Sequence, residues 1–180
     1  MHSTKASIRY REIPPDHARV KLPAMPALVN VNGTLVPPGE ARVSVFDRGF
    51  LYGDSVYEVV RTYGLRPFEL EQHLLRLAGS AARIGLEIPW STRRLADELL
   101  RTVEASRGDG SPEPGAAPWN ARERQVRVVV TRGSGEMGLD PALAAEPSVV
   151  IVALPLRGPP LAAYRDGVAA WPVGGRRGGD

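Results

Sequence analysis

Two periods of apolar residues divide this chain. From Ser55 to Tyr63 the residues are rich in β-branched and aromatic types, a composition that suits a pleated, half-buried strand. Strand alternation puts Tyr57, Val59 and Arg61 on one face. Gly64-Leu65 turns the chain, and Arg66–Leu70 returns beside it. From Leu70 the period becomes helical: Leu70, Leu74, Leu77, Ala81 and Ile84 form one apolar face. His73, Arg76, Ser80 and Arg83 form a polar strip along one edge of that face. A guanidinium on such an edge stays near the core and still reaches into a cleft, a geometry that suits an anion.

The flanking segments follow the same logic. Residues 1–26 show no sustained period and read as a flexible leader. Leu28–Val31 and Thr34–Val36 form a hairpin around Asn32-Gly33, a pair that accepts the positive φ angles of a two-residue turn. Ala41–Val45 reads as a short strand leading into the loop Phe46-Asp47-Arg48-Gly49. After Pro89-Trp90, Ser91 caps a second helix with the core stripe Leu95, Leu99 and Val103. Gly108–Ala121 is low in complexity and reads as a surface loop. Gln125–Thr131 alternates, with Val126, Val128 and Val130 on one face and Arg127 on the other. Gly133–Pro147 is a glycine-bearing loop, and Ser148–Leu154 a buried strand.

Strands and helices thus mix without strict βαβ alternation, which favours an α+β fold with an antiparallel sheet and flanking helices. The expected organisation is a leader over residues 1–26, a small α+β domain over 27–155, a linker over 156–164, and over 165–180 the start of a second, incomplete domain opening with the strand Gly167–Val173.

Composition narrows the chemistry. A hydrophobic content of 43% over 180 residues is enough for a buried core. No apolar run approaches the ~20 residues of a membrane helix, and no secretory signal is evident, so a cytoplasmic location is expected. Zero cysteines exclude disulfides and thiolate metal sites. The net charge of +3 is spread among alternating acids, with no basic run interleaved with aromatics, which argues against nucleic acid. Of the 23 basic residues only Lys5 and Lys21 are lysines, leaving 21 arginines. The three histidines have no close acidic partner in sequence, so no metal site is expected.

DRGFLYGDSVYEVVRTY, followed by EQHLLRLAGSA, resembles the N-terminal domain of class IV, fold-type IV pyridoxal-phosphate aminotransferases. That family includes branched-chain aminotransferases, D-amino acid aminotransferases and aminodeoxychorismate lyase. The order DRG, YGDSVYE and HxxRLxxSA at this spacing is specific, and VRVVVTRGSGEMGLDP resembles the branched-chain-like members. The resemblance implies amino-group transfer between an amino acid, branched-chain-like, and a 2-oxo acid through pyridoxal phosphate, in an enzyme that is a homodimer in the family. A D-amino acid transaminase or an aminodeoxychorismate lyase is the alternative.

The resemblance also implies site residues. Arg76 occupies the position whose arginine binds the cofactor phosphate, where a guanidinium fork matches phosphate oxygens as lysine cannot. Tyr57 and Arg61 lie on the face that lines the substrate pocket, and Arg127 stands where branched-chain-like members carry a substrate-side arginine. Tyr52 lies in the loop that reaches a neighbouring subunit's pocket in the family, or serves as a loop anchor. Asp47, Arg48 and Asp54 read as structural, and His73 as a satisfied helix residue. Glycines 133, 135 and 138 let the backbone approach a ligand.

Pyridoxal chemistry also needs a Schiff-base lysine. In the family it lies in the second domain, and this sequence has no lysine after Lys21, so the expected lysine would lie beyond Asp180. No catalytic residue is therefore assigned, and the chain alone is expected to be inactive, truncated before the catalytic lysine. A non-catalytic domain with only an assembly role is the reading from another class.

Overall fold

A computed structural model describes residues 27–107 and 122–170. The expected leader and the loop over 108–121 lie outside the described residues. The described chain runs β1 (Leu28–Val31), β2 (Thr34–Val36), α1 (Arg48–Tyr52), β3 (Ser55–Tyr63), β4 (Arg66–Pro67), α2 (Leu70–Arg83), α3 (Thr92–Ala105), β5 (Arg124–Gly135), a 3-10 turn (Pro141–Leu143), β6 (Ala144–Pro155) and α4 (Leu161–Asp166). Six strands form one sheet in the order β2-β1-β6-β5-β3-β4, with every pairing antiparallel. The fold is α+β, as the pattern predicts.

Residues opposite one another in antiparallel pairs share a face, so the register divides the sheet cleanly. Asn30, Ile151, Val128 and Glu58 make one row, and Val29, Val152, Arg127 and Val59 make the next row, on the other face. α2 and α3 cover the first face. Leu74, Leu77 and Ala81 of α2 and Leu95, Leu99 and Val103 of α3 pack there with Val126, Val128, Val130, Val149 and Ile151. Both helical stripes are as the period predicts, except that Ile84 ends α2 and is exposed.

Local signals set the ends. Asn32 and Gly33 both take positive φ, at 51° and 92°, as do Gly64 and Leu65, at 57° and 61°; these are the two-residue turns that match strand twist. Ser91 caps α3 by accepting from the Arg94 N–H.

Several expectations need correction. Residues 41–45 form no strand, and the DRG segment is not a loop but the start of α1, capped by the Asp47 carboxylate, which accepts from the Gly49 N–H at 2.8 Å. Gly133–Pro147 is not all loop: β5 runs on to Gly135 and β6 starts at Ala144, with register shifts after Thr131. Gly133 and Gly135 let backbones approach, since a Cβ on Gly133 would overlap the Glu146 carbonyl oxygen and one on Gly135 the Leu143 carbonyl oxygen, while Gly138 lies against the Leu143 side chain. Leu161–Asp166, within and beyond the expected linker, is helical, and residues 167–170 have no strand. The rest of the expected second-domain strand, and the chain from there to Asp180, lie outside the described residues.

Candidate cofactor and substrate site

Strand β3 builds the site by presenting different chemistry on its two faces. On the helix-covered face Val56, Val60 and Thr62 are buried, and so is Glu58, 6% exposed. A carboxylate in such a place must be paired. Its partners come from the polar strip of α2. Arg76 Nε donates to Glu58 Oε1 at 2.6 Å, Arg76 Nη2 to Oε2 at 2.5 Å, and His73 Nδ1 lies 2.9 Å from Oε2. The bidentate bond from Arg76, with a further one from His73, holds the Glu58 carboxyl below its ordinary pKa although burial opposes this. The same carboxylate pushes the Arg76 guanidinium up.

Glu58 closes the YGDSVYE segment, where the sequence alone gave that residue no role, and it gives His73 the acidic partner that sequence spacing does not show. A signal is present: strand alternation places a lone carboxylate among valines on an inward face, which is unusual enough to mark a site. The described residues still hold no group of side chains that could bind a metal.

Arg76 is thereby fixed but not consumed. Its side chain is 62% exposed, and Nη1 makes no hydrogen bond to the described residues. A planar fork with one edge anchored and the other facing solvent suits one phosphate oxygen contact. No lysine lies among the described residues, so the groups present fit the phosphate end of pyridoxal phosphate and not its reactive carbon.

The opposite face carries the other expected residues. The Arg127 guanidinium stacks over the Tyr57 ring at 4.5 Å, and Arg61 over Tyr63 at 3.9 Å. Tyr57 is 57% exposed and Val59 half-buried, so the surface is a mixture of tyrosine and arginine flanked by Val129, Val150 and Val152. The structure thus brings Tyr57 and Arg127 together and sets Arg76 on the other side of the sheet. Between them runs the backbone of β3: β5 pairs with it over 55–61 on one side, whereas β4 pairs on the other side only at Thr62 and Tyr63. Among the described residues no strand pairs with β3 at 55–60 on that side.

Tyr52 belongs to neither group. Its hydroxyl accepts from the Gly138 N–H at 3.1 Å and Arg48 lies over its ring at 4.9 Å, the contacts of a loop anchor. Asp47, Arg48 and Asp54 are structural as expected. Arg48 and Arg132 both donate to Asp54 Oδ2, at 3.1 and 2.8 Å, and Arg132 also donates to the Ile84 and Gly85 carbonyls at the end of α2. That bonding holds the Asp54 carboxyl below its usual range, with the Arg132 hydrogen bond the largest cause.

The antiparallel sheet thus carries two helices on one face and, from α2, an arginine anchored on Glu58. The chain belongs to the class IV aminotransferase family, whose model, described as Amino-transferase class IV, matches residues 55–173. Among individual proteins it is similar to a "Putative branched-chain-amino-acid aminotransferase" of Methanocaldococcus jannaschii, 37% identical over 149 residues that make up 83% of this chain and 46% of that protein. A D-alanine aminotransferase of Listeria monocytogenes is 45% identical over 105 residues, 58% of this chain and 32% of that one. The structure superposes on a T.th. branched-chain amino acid aminotransferase in complex with N-(5'-phosphopyridoxyl)-L-glutamate with a TM-score of 0.57 and 28% identity, covering 72% of this chain and 40% of that one. The chain spans less than half the length of the curated relatives it matches.

Proposed function

We propose that this chain supplies the phosphate-side and substrate-side walls of a pyridoxal-phosphate transaminase site that acts on branched-chain-like amino acids and 2-oxo acids. The observation that carries the reading is the Glu58-anchored Arg76 fork, exposed on one side of β3, with Arg127 over Tyr57 on the other. Support comes from the phosphopyridoxyl ligand of the T.th. relative and from the branched-chain names of two of the similar proteins.

Each residue then has a task derived from its place. Arg76 binds a phosphate oxygen through the edge that Glu58 leaves free, and Glu58 keeps that edge aimed outward. Arg127, its guanidinium supported on the Tyr57 ring, binds the substrate carboxylate. Val59 and the Tyr57 ring give the aliphatic side chain an apolar wall. Bound pyridoxal phosphate supplies the electron sink for proton removal at the substrate's α-carbon. The amine that bonds to it must come from a lysine, and neither Lys5 nor Lys21 matches the family's position. We therefore propose that the chain from Met1 to Asp180 is inactive by itself. A D-amino acid preference is the second reading, favoured by the 45% identity to the Listeria protein.

The test is amino-group transfer from leucine, valine and D-alanine to 2-oxoglutarate by the purified chain with pyridoxal phosphate, beside Lys5→Arg and Lys21→Arg. Turnover no faster than with free cofactor is expected. Turnover that vanishes with either lysine variant overturns the reading and puts residues 1–26 in the active site. In parallel, Arg127→Ala is expected to weaken binding of 4-methyl-2-oxopentanoate; unchanged binding removes the substrate assignment.

A further inference from the structure

One cavity lies apart from the residues that the transaminase reading uses. Its volume is about 390 Å³, at the small end of the roughly 300–1,000 Å³ typical of small-molecule pockets. Val31 and Asn32 at the end of β1, Ser134 of β5 and Glu146 of β6 line it, with Arg42 and Asp47 from the segment before α1. Val31 stands in one row of the sheet with Val150, Val129 and Tyr57. Three strand spacings, about 14 Å, separate it from Tyr57. The cavity therefore shares a face with the Arg127–Tyr57 pair but is a different place.

Its charged groups are opposite in sign and do not meet. Arg42 Nη1 donates to the Gly39 and Ala41 carbonyls at 2.7 and 2.9 Å, which holds the guanidinium. Its Nε and Nη2 donate to none of the described residues. The Glu146 side chain, set opposite Ser134 in the sheet, likewise has no hydrogen bond or ion pair among the described residues. Both residues are exposed, so a ligand reaches them from solvent. Asp47 adds a second carboxylate, 2% exposed. It accepts only from neutral donors, the Gly49 N–H at 2.8 Å and the Thr131 hydroxyl at 2.7 Å. A buried carboxylate without a cation beside it favours a positive group in the adjoining space. Uncharged groups complete the lining. Asn32 Oδ1 accepts from the Val149 N–H at 2.8 Å and the Ser148 hydroxyl at 3.2 Å. That leaves Asn32 Nδ2 and the Ser134 hydroxyl without partners among the described residues.

We infer that this cavity is a second ligand site, which takes a free zwitterionic α-amino acid with a short polar side chain. Arg42 binds the α-carboxylate through Nε and Nη2, a two-donor edge that matches carboxylate oxygens. Glu146 binds the ammonium group, and the Asp47 carboxylate adds to the attraction. Asn32 and Ser134 offer hydrogen bonds to the side chain. Two carboxylates against one guanidinium disfavour a phosphate or a dicarboxylate. A simple acid leaves Glu146 unmet, and a simple amine leaves Arg42 unmet. Only a ligand with both charges satisfies both walls.

L-Threonine is the probe, beside 3-hydroxybutanoate, which lacks its amine, and 1-aminopropan-2-ol, which lacks its carboxylate. Binding to the purified chain is followed by nuclear magnetic resonance titration in wild type, Arg42→Gln, Glu146→Gln and Arg127→Ala, with fold checked by circular dichroism. Threonine is expected to bind wild type saturably and about tenfold more tightly than either analogue, the effect of one charge-assisted contact. Arg42→Gln is expected to erase its advantage over the amine, and Glu146→Gln its advantage over the acid. Arg127→Ala is expected to leave threonine binding unchanged. No saturable shift at about 20 mM, well above a millimolar constant, overturns the inference. So does an analogue that binds wild type as tightly as threonine. Binding lost in Arg127→Ala but kept in both cavity variants also overturns it, and places the amino acid on the substrate face while the proposed function stands.

Discussion

A guanidinium on a helix surface holds an anion well only if something holds the guanidinium. Here Glu58 does so, and replacing Arg76 therefore removes a positioned charge rather than a wandering one. Arg76→Ala is expected to weaken pyridoxal phosphate binding roughly ten- to a hundredfold, the range of a lost charge-assisted contact, while leaving binding of pyridoxal unchanged. Arg76→Lys should recover only part, since the lysine cannot bond Glu58 and phosphate through two edges of one plane. Isothermal titration with both ligands checks it. The acid limb of stability belongs to this scale too. The folded-state pKa values of Asp54 and Glu58 both lie below their ordinary values of 3.8 and 4.5. Their contribution to stability is therefore complete above those values and is lost as pH falls through the lower folded-state ones. Asp54→Asn should make the melting temperature less sensitive to pH below about 4, as thermal unfolding across a range of roughly pH 2–6 will show. Arg76 was legible in the sequence because the HxxR spacing is read along one helix. Alternation marks Glu58 as a lone inward carboxylate, but its partners were not legible, because the pairing joins residues 15 and 18 positions apart on two elements.

Elements were legible where a single period governed them. The 3.6-residue stripes of α2 and α3 and the alternation of β3 and β5 each depend on one buried face. The positive-φ pairs Asn32-Gly33 and Gly64-Leu65 announced their turns in the same local way. Legibility failed where the cause is tertiary. Strand β5 continues past Thr131 because Ser134 and Gly135 find partners in Glu146 and Ala144, and only an absent Cβ lets the backbones meet. A glycine cluster read as room for a ligand is room for another strand. Gly133→Ala is accordingly expected to destabilise the chain by at least ~1–3 kcal/mol, since it adds a φ of 86° to an overlap with the Glu146 carbonyl. Denaturant unfolding measures it. Gly64→Ala, at φ 57° with nothing within 4 Å of the added carbon, should cost only the smaller backbone term. The short helix α4 was missed because Gly158-Pro159-Pro160 has the composition of a linker; Pro160 instead starts the helix as its cap residue.

At the scale of the molecule, one sheet separates two chemistries. The helix-covered face supplies the anchored cation; the face that neither α2 nor α3 covers supplies Tyr57, Arg61 and Arg127. The placement of that trio on one face was legible from alternation, but its separation from Arg76 by the sheet was not, because that depends on which face α2 covers. In the proposed function the free edge of Arg76 receives the phosphate of pyridoxal phosphate. Arginine side-chain Nε–H resonances, with Arg76 assigned by its loss in Arg76→Lys, report this directly. Pyridoxal phosphate is expected to shift the Arg76 resonance in a saturable way, and pyridoxal, lacking the phosphate, is expected not to. An Arg76 resonance that stays in place while pyridoxal phosphate binds, or one that moves equally with both ligands, would contradict it.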